Sequence, residues 1–285
     1  MRAVAEVLPT QGIALDGQTG RRAHDRSAGK AALHLVSAWA RANRLVLAQV
    51  AVDSQSHEIT ALPLLLRQVA VAGGLVTSDA MGGQRELAAQ IVEQEADYVL
   101  ALKENQPNEE VVNTCALLRA SHSAELDPTA WSHWRQVHKG HGRLELREHW
   151  GVRDPAMLVY LTERVVAWPG WRAIGLVEAE RRLSDGRVER EARSYLLSAP
   201  LSAQQFGEAV RAHWGIEHQV HWLLDMAFRE DESRVRVGQA AENFAVLRRL
   251  ALHLLQQEPT ATCGIKAKRL KAGWSHDYLL KVLAG

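Results

Sequence analysis

Apolar positions in the first part of the chain recur with a period of two in some stretches and about 3.6 in others, and each change of period marks a change of element. Gly12-Ile-Ala-Leu-Asp16 is an apolar run closed by Asp-Gly, which predicts a strand entering a turn. Leu33, Leu35 and Trp39 alternate with His34, Val36 and Ala38, Arg41-Ala-Asn43 supplies a turn, and Leu45 to Val52 reads as the second strand of a hairpin. Thr60 opens a helix with Leu64, Leu65 and Val69 on one side, stopped by Gly73-Gly74. Leu75 to Asp79 is a strand ending in an aspartate, Leu87, Ala88, Ile91 and Val92 mark an amphipathic helix, and Asp97 to Leu102 is a further strand.

Beyond Leu102 the pattern turns β-rich. Trp131-Ser-His-Trp134, the His141-Gly-Arg143 turn backed by Leu144 and Leu146, Ala173 to Leu183, and Arg187 to Leu197 all read as strand material, with Ser184-Asp-Gly186 as a hairpin turn. A capping box, Ser202 with Gln205, then opens a long helix with Phe206, Val210, Trp214, Val220 and Leu224 as its predicted apolar face. A second helix is expected from about Gln239 to Gln257, with a stripe of Phe244, Leu247, Ala251 and Leu254. The order β-β-β-α-β-α-β followed by helices predicts an α/β fold: a ribonuclease H-like mixed sheet flanked by helices, with a β-rich insertion before the last helices. The expected divisions are a first part of the core over 1–102, the insertion over 103–201, and core helices with a basic tail over 202–285.

Composition excludes more than it selects. With 285 residues, 47% hydrophobic and 24% charged, the chain is neither disordered nor a small stapled module. No apolar run approaches the ~18 residues of a membrane span, and the start of the chain lacks the layout of a secretory signal. Two cysteines, Cys115 and Cys263, far apart and without CxxC spacing, argue against a disulfide framework or zinc ribbon, so the expected setting is the cytoplasm. Net charge is +1, but Ser233 to Gly285 holds nine Lys/Arg against three Asp/Glu. Lys266, Lys268, Arg269 and Lys271 in that tail suit phosphate neutralisation, or equally the solvated face of a terminal helix.

The candidate chemistry lies in carboxylates at element ends. Asp16 and Asp79 close strands that this topology can set side by side, and Glu217 sits on the helix that follows the insertion. Two strand-end aspartates and a helical glutamate are a suitable ligand set for divalent cations that favour oxygen, and a two-metal site can drive in-line phosphoryl transfer. Simpler readings compete. Asp-Gly is ordinary turn chemistry, and Asp79 could cap the next helix. Asp53, Asp225 and the Glu230-Asp-Glu232 run read as outward or solvated charges. His213, Glu217 and His221 share one helix face at i, i+4 and i+8, which leaves a transition-metal site open as an alternative.

Several blocks, in order, carry a resemblance: Ile13-Ala-Leu-Asp-Gly17, Leu33 to Trp39, Asp79-Ala-Met-Gly82, Asp97 to Gln106, His141-Gly-Arg143, Arg211-Ala-His-Trp-Gly-Ile-Glu217, His221 to Asp225, Phe228 to Asp231, and Ala241 to Arg249. Together they resemble the H-repeat-associated insertion-sequence transposases of the DDE superfamily. The resemblance implies that Asp16, Asp79 and Glu217 are the catalytic, metal-holding triad, serving two Mg²⁺ ions for which Mn²⁺ substitutes. It implies metal-dependent DNA cleavage followed by strand transfer. Transposon ends and target DNA would be the partners, bound by a homodimer or larger assembly, with no membrane. Lys103, Asn105, Arg143, Arg211 and His213 are the implied DNA-contacting positions. Trp168 and Trp171 are read as packing rather than base-stacking residues. Two departures stand out: Gln18 occupies a position where relatives carry lysine, and relatives have a helical segment before the first strand, so a truncated copy, a misassigned start or a decayed element is expected. The alternative is a catalytically inactive DNA-binding remnant.

Overall fold

The computed structural model describes residues 12–20, 32–52, 58–79, 84–102, 108–122, 127, 129–140, 143–164 and 168–284. In chain order the elements are β1 (Gly12–Gly20), β2 (Leu33–Ala40), β3 (Leu45–Val52), α1 (Glu58–Leu66), β4 (Leu75–Ser78), α2 (Arg85–Glu93), β5 (Asp97–Ala101) and α3 (Asn108–His122). These are followed by β6 (Trp131–Gly140), β7 (Arg143–Val152), α4 (Pro155–Arg164), β8 (Ala173–Leu183), β9 (Val188–Leu197) and α5 (Ala203–His213). After a π-helical turn over Glu217–His221 come α6 (Trp222–Phe228), α7 (Ala240–Gln257), α8 (Ile265–Trp274) and α9 (His276–Ala284). The architecture is mixed α/β, and the chain divides into two compact units.

The first unit contains Ala14–Val69 and Trp214–Gly285. Its strands lie in the order β3-β2-β1. β2 and β3 form the expected hairpin, from His34↔Val52 to Ala40↔Leu45, with a bulge at Ala38/Trp39. Arg44 closes its turn at φ 49°. Trp39 is fully buried and meets Ala14, Ile216, Val220, Leu224 and Leu252, so strand and helix residues distant in sequence share one core. Gly215 admits that approach, because a Cβ there would stand 3.2 Å from the Trp39 ring. A second small core joins Leu255 of α7 to Tyr278 and Val282 of α9.

The second unit contains Ala70–His213 together with the beginning of β1. Its six strands are ordered β4-β5-β9-β8-β7-β6. β4 and β5 are parallel and joined through α2, as the alternation of strand and helix patterns predicts. β5 to β9 and all later pairings are antiparallel, so the sheet is mixed and helices flank it. The strands are apolar where Tyr195 and Leu197 pack with Phe206 of α5. Gly175 of β8 makes room for that ring, since a Cβ there would fall 2.3 Å from Phe206 Cζ. Towards the other end, β7, β8 and β9 carry cross-strand ion pairs: Glu145–Arg181 at 3.3 Å and Glu180–Arg190 at 2.9 Å.

Several expectations need correction. β1 continues to Gly20, so Asp16 lies within a strand and the Asp16-Gly17 pair does not end it. The stretch 103–201 contains two helices as well as strands. α4 was signalled by Asp154-Pro155: the Asp154 carboxylate accepts the Ala156 and Met157 amides at 2.9 and 3.1 Å, with Pro at the first helical position. The Ser202–Gln205 capping box forms reciprocally, at 3.0 and 3.3 Å. The helix it opens stops at His213, however, and Trp214 is exposed instead of lying on an apolar face. On α7 the buried positions are Ala241, Ala245, Arg249, Leu252 and Leu255, while Phe244 and Leu247 are exposed. Asp53 and the His141-Gly142 turn lie outside the described residues. No described helix is long and apolar enough to cross a membrane.

Candidate active site

Asp16 faces the first unit from the middle of β1, and Glu217 and His221 occupy successive turns of the segment behind it. That segment is π-helical: the Trp222 amide bonds to the Glu217 carbonyl, five residues back instead of four. Such a widened turn re-aims the side chains that it carries, and it is frequent at functional sites. Here one ligand atom each from Asp16, Glu217 and His221 lies within 4.8 Å of the other two. His221 Nδ1 stands 3.3 Å from Glu217 Oε2 and 3.5 Å from Asp16 Oδ2. The side-chain exposures are graded: 6% for His221, 15% for Asp16 and 49% for Glu217. The imidazole is the floor of the cluster and Glu217 its open side.

Around the cluster the carboxylates behave differently. Asp225, one helical turn after His221, accepts the Asp231 amide at 3.3 Å, and its carboxyl is pushed above the ordinary range by burial, then by the neighbouring Asp231. Glu230 is buried, contrary to its reading as a solvated helix-end charge, and pairs with Arg249 at 3.1 Å. The same guanidinium reaches the Ala245 carbonyl and Gln18 Oε1, each at 3.1 Å. Gln18, the departure noted in the sequence, thus ties the strand of Asp16 to α7. Gln18, Glu230, Ala245 and Arg249 line a small pocket together with Leu33, Leu35 and Ser233.

The remaining sequence candidates fall elsewhere. Asp79 directly follows β4 in the second unit and is not a member of the cluster. It does not cap α2 either, whose N-cap is Gln84. His213 closes α5, is buried, and holds its Nδ1 3.1 Å from Thr77 Oγ1 on β4. Thr77 Oγ1 also lies 3.4 Å from the Ile13 carbonyl. His213 is therefore not part of a His213–Glu217–His221 group; the third member is Asp16. Arg211 is exposed and meets His138 Nε2 at 3.1 Å, and Arg143 is exposed at the start of β7. Lys103 and Asn105 lie outside the described residues. In the tail, Lys268 is buried and donates to the Leu255 carbonyl at 3.1 Å, so it satisfies the end of α7 and is not available to phosphates. The sequence presents His221 only as a helix-face neighbour of Glu217; its approach to Asp16 has no local signal.

A family model described as the transposase DDE domain matches residues 8–254. The chain belongs to this family. Its relatives in Escherichia coli strain K12 include "Putative protein YbfL" and "H repeat-associated putative transposase YhhI", each 35% identical over 277 residues, which are 96% of this chain and 71% of the relative. "Putative transposase YncI" of Escherichia coli O157:H7 is 33% identical over 292 residues, 100% of this chain and 72% of that protein. The resemblance to the H-repeat-associated transposases therefore holds across nearly the whole DDE-family chain. The donor set fits divalent cations: two carboxylates separated by most of the sequence converge on one point, with an imidazole beneath them.

Proposed function

We propose that the chain is a metal-dependent DNA transposase acting in the cytoplasm, with Asp16, Asp79 and Glu217 as its catalytic carboxylates. The observation that carries this reading is the convergence of Asp16 and Glu217, far apart in the sequence of a DDE-family chain, on one cluster. In this reading the fold is a ribonuclease H-like core, interrupted over 103–201 by the β-rich insertion with its two helices, and completed over 202–285. Two Mg²⁺ ions, or Mn²⁺ in their place, would stabilise the attacking and leaving oxygens of an in-line displacement. The chain's own contribution is placement. β1 fixes Asp16 in a strand, the π-helical turn offers Glu217 at the open side of the cluster, and Asp79 leaves β4 at its C-terminal end. Little covalent chemistry falls to the protein, as in other phosphoryl transfers.

DNA ends and target DNA are the partners in this reading, with a homodimer or larger assembly pairing two ends. In this reading Arg143 and Arg211, both exposed, and Lys103 and Asn105 would contact phosphates, while His213, buried against Thr77, would act by holding α5 to β4. The test is nicking of supercoiled plasmid with Mg²⁺, Mn²⁺ or EDTA, beside Asp79→Asn and Asp16→Asn. Metal-dependent nicking lost in both variants is expected, and joining of a labelled 3′-hydroxyl end to plasmid separates a transposase from a general nuclease. Nicking that survives in both variants, or a folded protein that nicks with neither metal, overturns the reading.

A further inference from the structure

We propose that His221 is the third ligand of the cation held by Asp16 and Glu217, so that this position takes a transition-metal cation such as Mn²⁺ in preference to Mg²⁺. The inference rests on the reading of Asp16 and Glu217 as metal-holding residues and goes beyond it by naming a nitrogen donor.

Three observations support it. The first is spacing. Ligands about 2.0–2.2 Å from a shared cation stand roughly 3–3.5 Å apart in tetrahedral or octahedral geometry. Nδ1 of His221 lies 3.3 Å from Glu217 Oε2 and 3.5 Å from Asp16 Oδ2. The shorter contact is a hydrogen bond in the empty site, and both separations are ordinary for two ligands of one ion. The second is burial: the His221 side chain is 6% exposed, yet its Nε2 has no hydrogen-bond partner. Among the described residues its polar partners are the two carboxylates at Nδ1, so the buried ring is aimed at the cluster through that nitrogen. The third is local backbone. The π-helical turn spans Glu217 to His221 itself, so the widened segment carries both donors.

Donor chemistry then sets the preference. Mg²⁺ favours oxygen and retains its waters, whereas imidazole suits the later divalent metals. Coordination through Nδ1 leaves the ring proton on Nε2, which has no acceptor among the described residues. Losing only an outer-shell partner of a ligand typically costs about 10–100-fold in metal affinity, so removing this ligand, which lacks such a partner, should weaken Mn²⁺ binding by at least about tenfold.

The experiment uses the full chain loaded with Mn²⁺ alone, read by isothermal titration and by electron spin-echo modulation from directly bound ¹⁴N. The expected result is a ¹⁴N coupling that disappears in His221→Gln, a Mn²⁺ affinity at least about tenfold weaker in that variant, and a Mg²⁺ affinity nearly unchanged. The spectrum of the unmodified chain needs no variant to fold, and absence of a ¹⁴N coupling there overturns the proposal by itself. A coupling that persists in His221→Gln does the same. If Mn²⁺ binds without nitrogen and is lost in Asp16→Asn, the carboxylate site stands and only the histidine ligand falls. If Mn²⁺ binding is indifferent to Asp16→Asn and Glu217→Gln as well, the carboxylate reading falls with it.

Discussion

Glu217 and Glu230 are both helical glutamates of the first unit, thirteen residues apart in the same part of the chain, and the fold treats them in opposite ways. Glu230 has 8% of its side chain exposed and faces Arg249, itself 4% exposed, with Arg248 at 3.7 Å behind it. Burial pulls the Arg249 guanidinium below its ordinary range while Glu230 pushes the other way. Glu217 has 49% exposed and converges with Asp16 on an imidazole instead. A buried carboxylate matched to a permanent cation joins elements, here β1 through Gln18 and α7 through Ala245. A carboxylate kept open beside another carboxylate and a ring nitrogen contributes little to folding and is arranged to receive something. The two acids differ in what they face, a buried guanidinium in one case and a carboxylate with an imidazole in the other.

Breaking the structural side should have the largest effect. Arg249→Met leaves Glu230 buried opposite only the more distant Arg248, and unfolding in urea should show a loss of about 3–5 kcal/mol. The double variant Arg249→Met with Glu230→Met should recover much of that, because the penalty lies in the uncompensated charge. A loss below about 1 kcal/mol in the single variant would mean that the pair does not organise this unit.

Glu258, at the end of α7, gives a comparison governed by pH. Its carboxylate accepts hydrogen bonds from Thr260 and from Tyr278 Oη at 2.6 Å, which lower its pKa from the ordinary 4.5 to about 2. A carboxyl with a depressed folded-state pKa stabilises fully above its unfolded value and loses that contribution as pH falls through the folded one. The Glu258 contribution should therefore be intact at neutral pH and fade between about 4.5 and about 2. Glu258→Gln should melt lower than the unmodified chain at pH 7, and the gap should close across that window. A gap independent of pH would mean that charge is not what the two donors hold.

The smallest expected effect on stability is on the functional side. Glu217→Gln should change unfolding free energy by no more than about 0.5 kcal/mol, since the residue is half exposed, while abolishing metal-dependent nicking. Urea unfolding and the plasmid assay on one preparation give both numbers. A variant as unstable as Arg249→Met would erase the distinction between the two glutamates.

The sequence determined what depends on neighbours along the chain. Period-two and 3.6-residue patterns located β2, β3, α2, β5 and the four long strands β6 to β9, because alternation and amphipathicity are local consequences of which face is buried. The Ser202–Gln205 box formed as read, since a capping box needs only four consecutive residues. The order of blocks was enough to reveal the DDE family. Tertiary structure decided the rest. Tertiary contacts let β1 run past Asp16-Gly17 to Gly20, overriding a turn signal. On α7 the buried stripe passed to Ala241, Ala245 and Arg249 because Glu230 and Gln18 offered that arginine partners inside the unit, and Phe244 and Leu247 were left outside. His221 and Glu217 meet Asp16 from a π-helical turn that no sequence pattern announced. A residue's partners across the chain are a property of the assembled fold, and no local pattern encodes them.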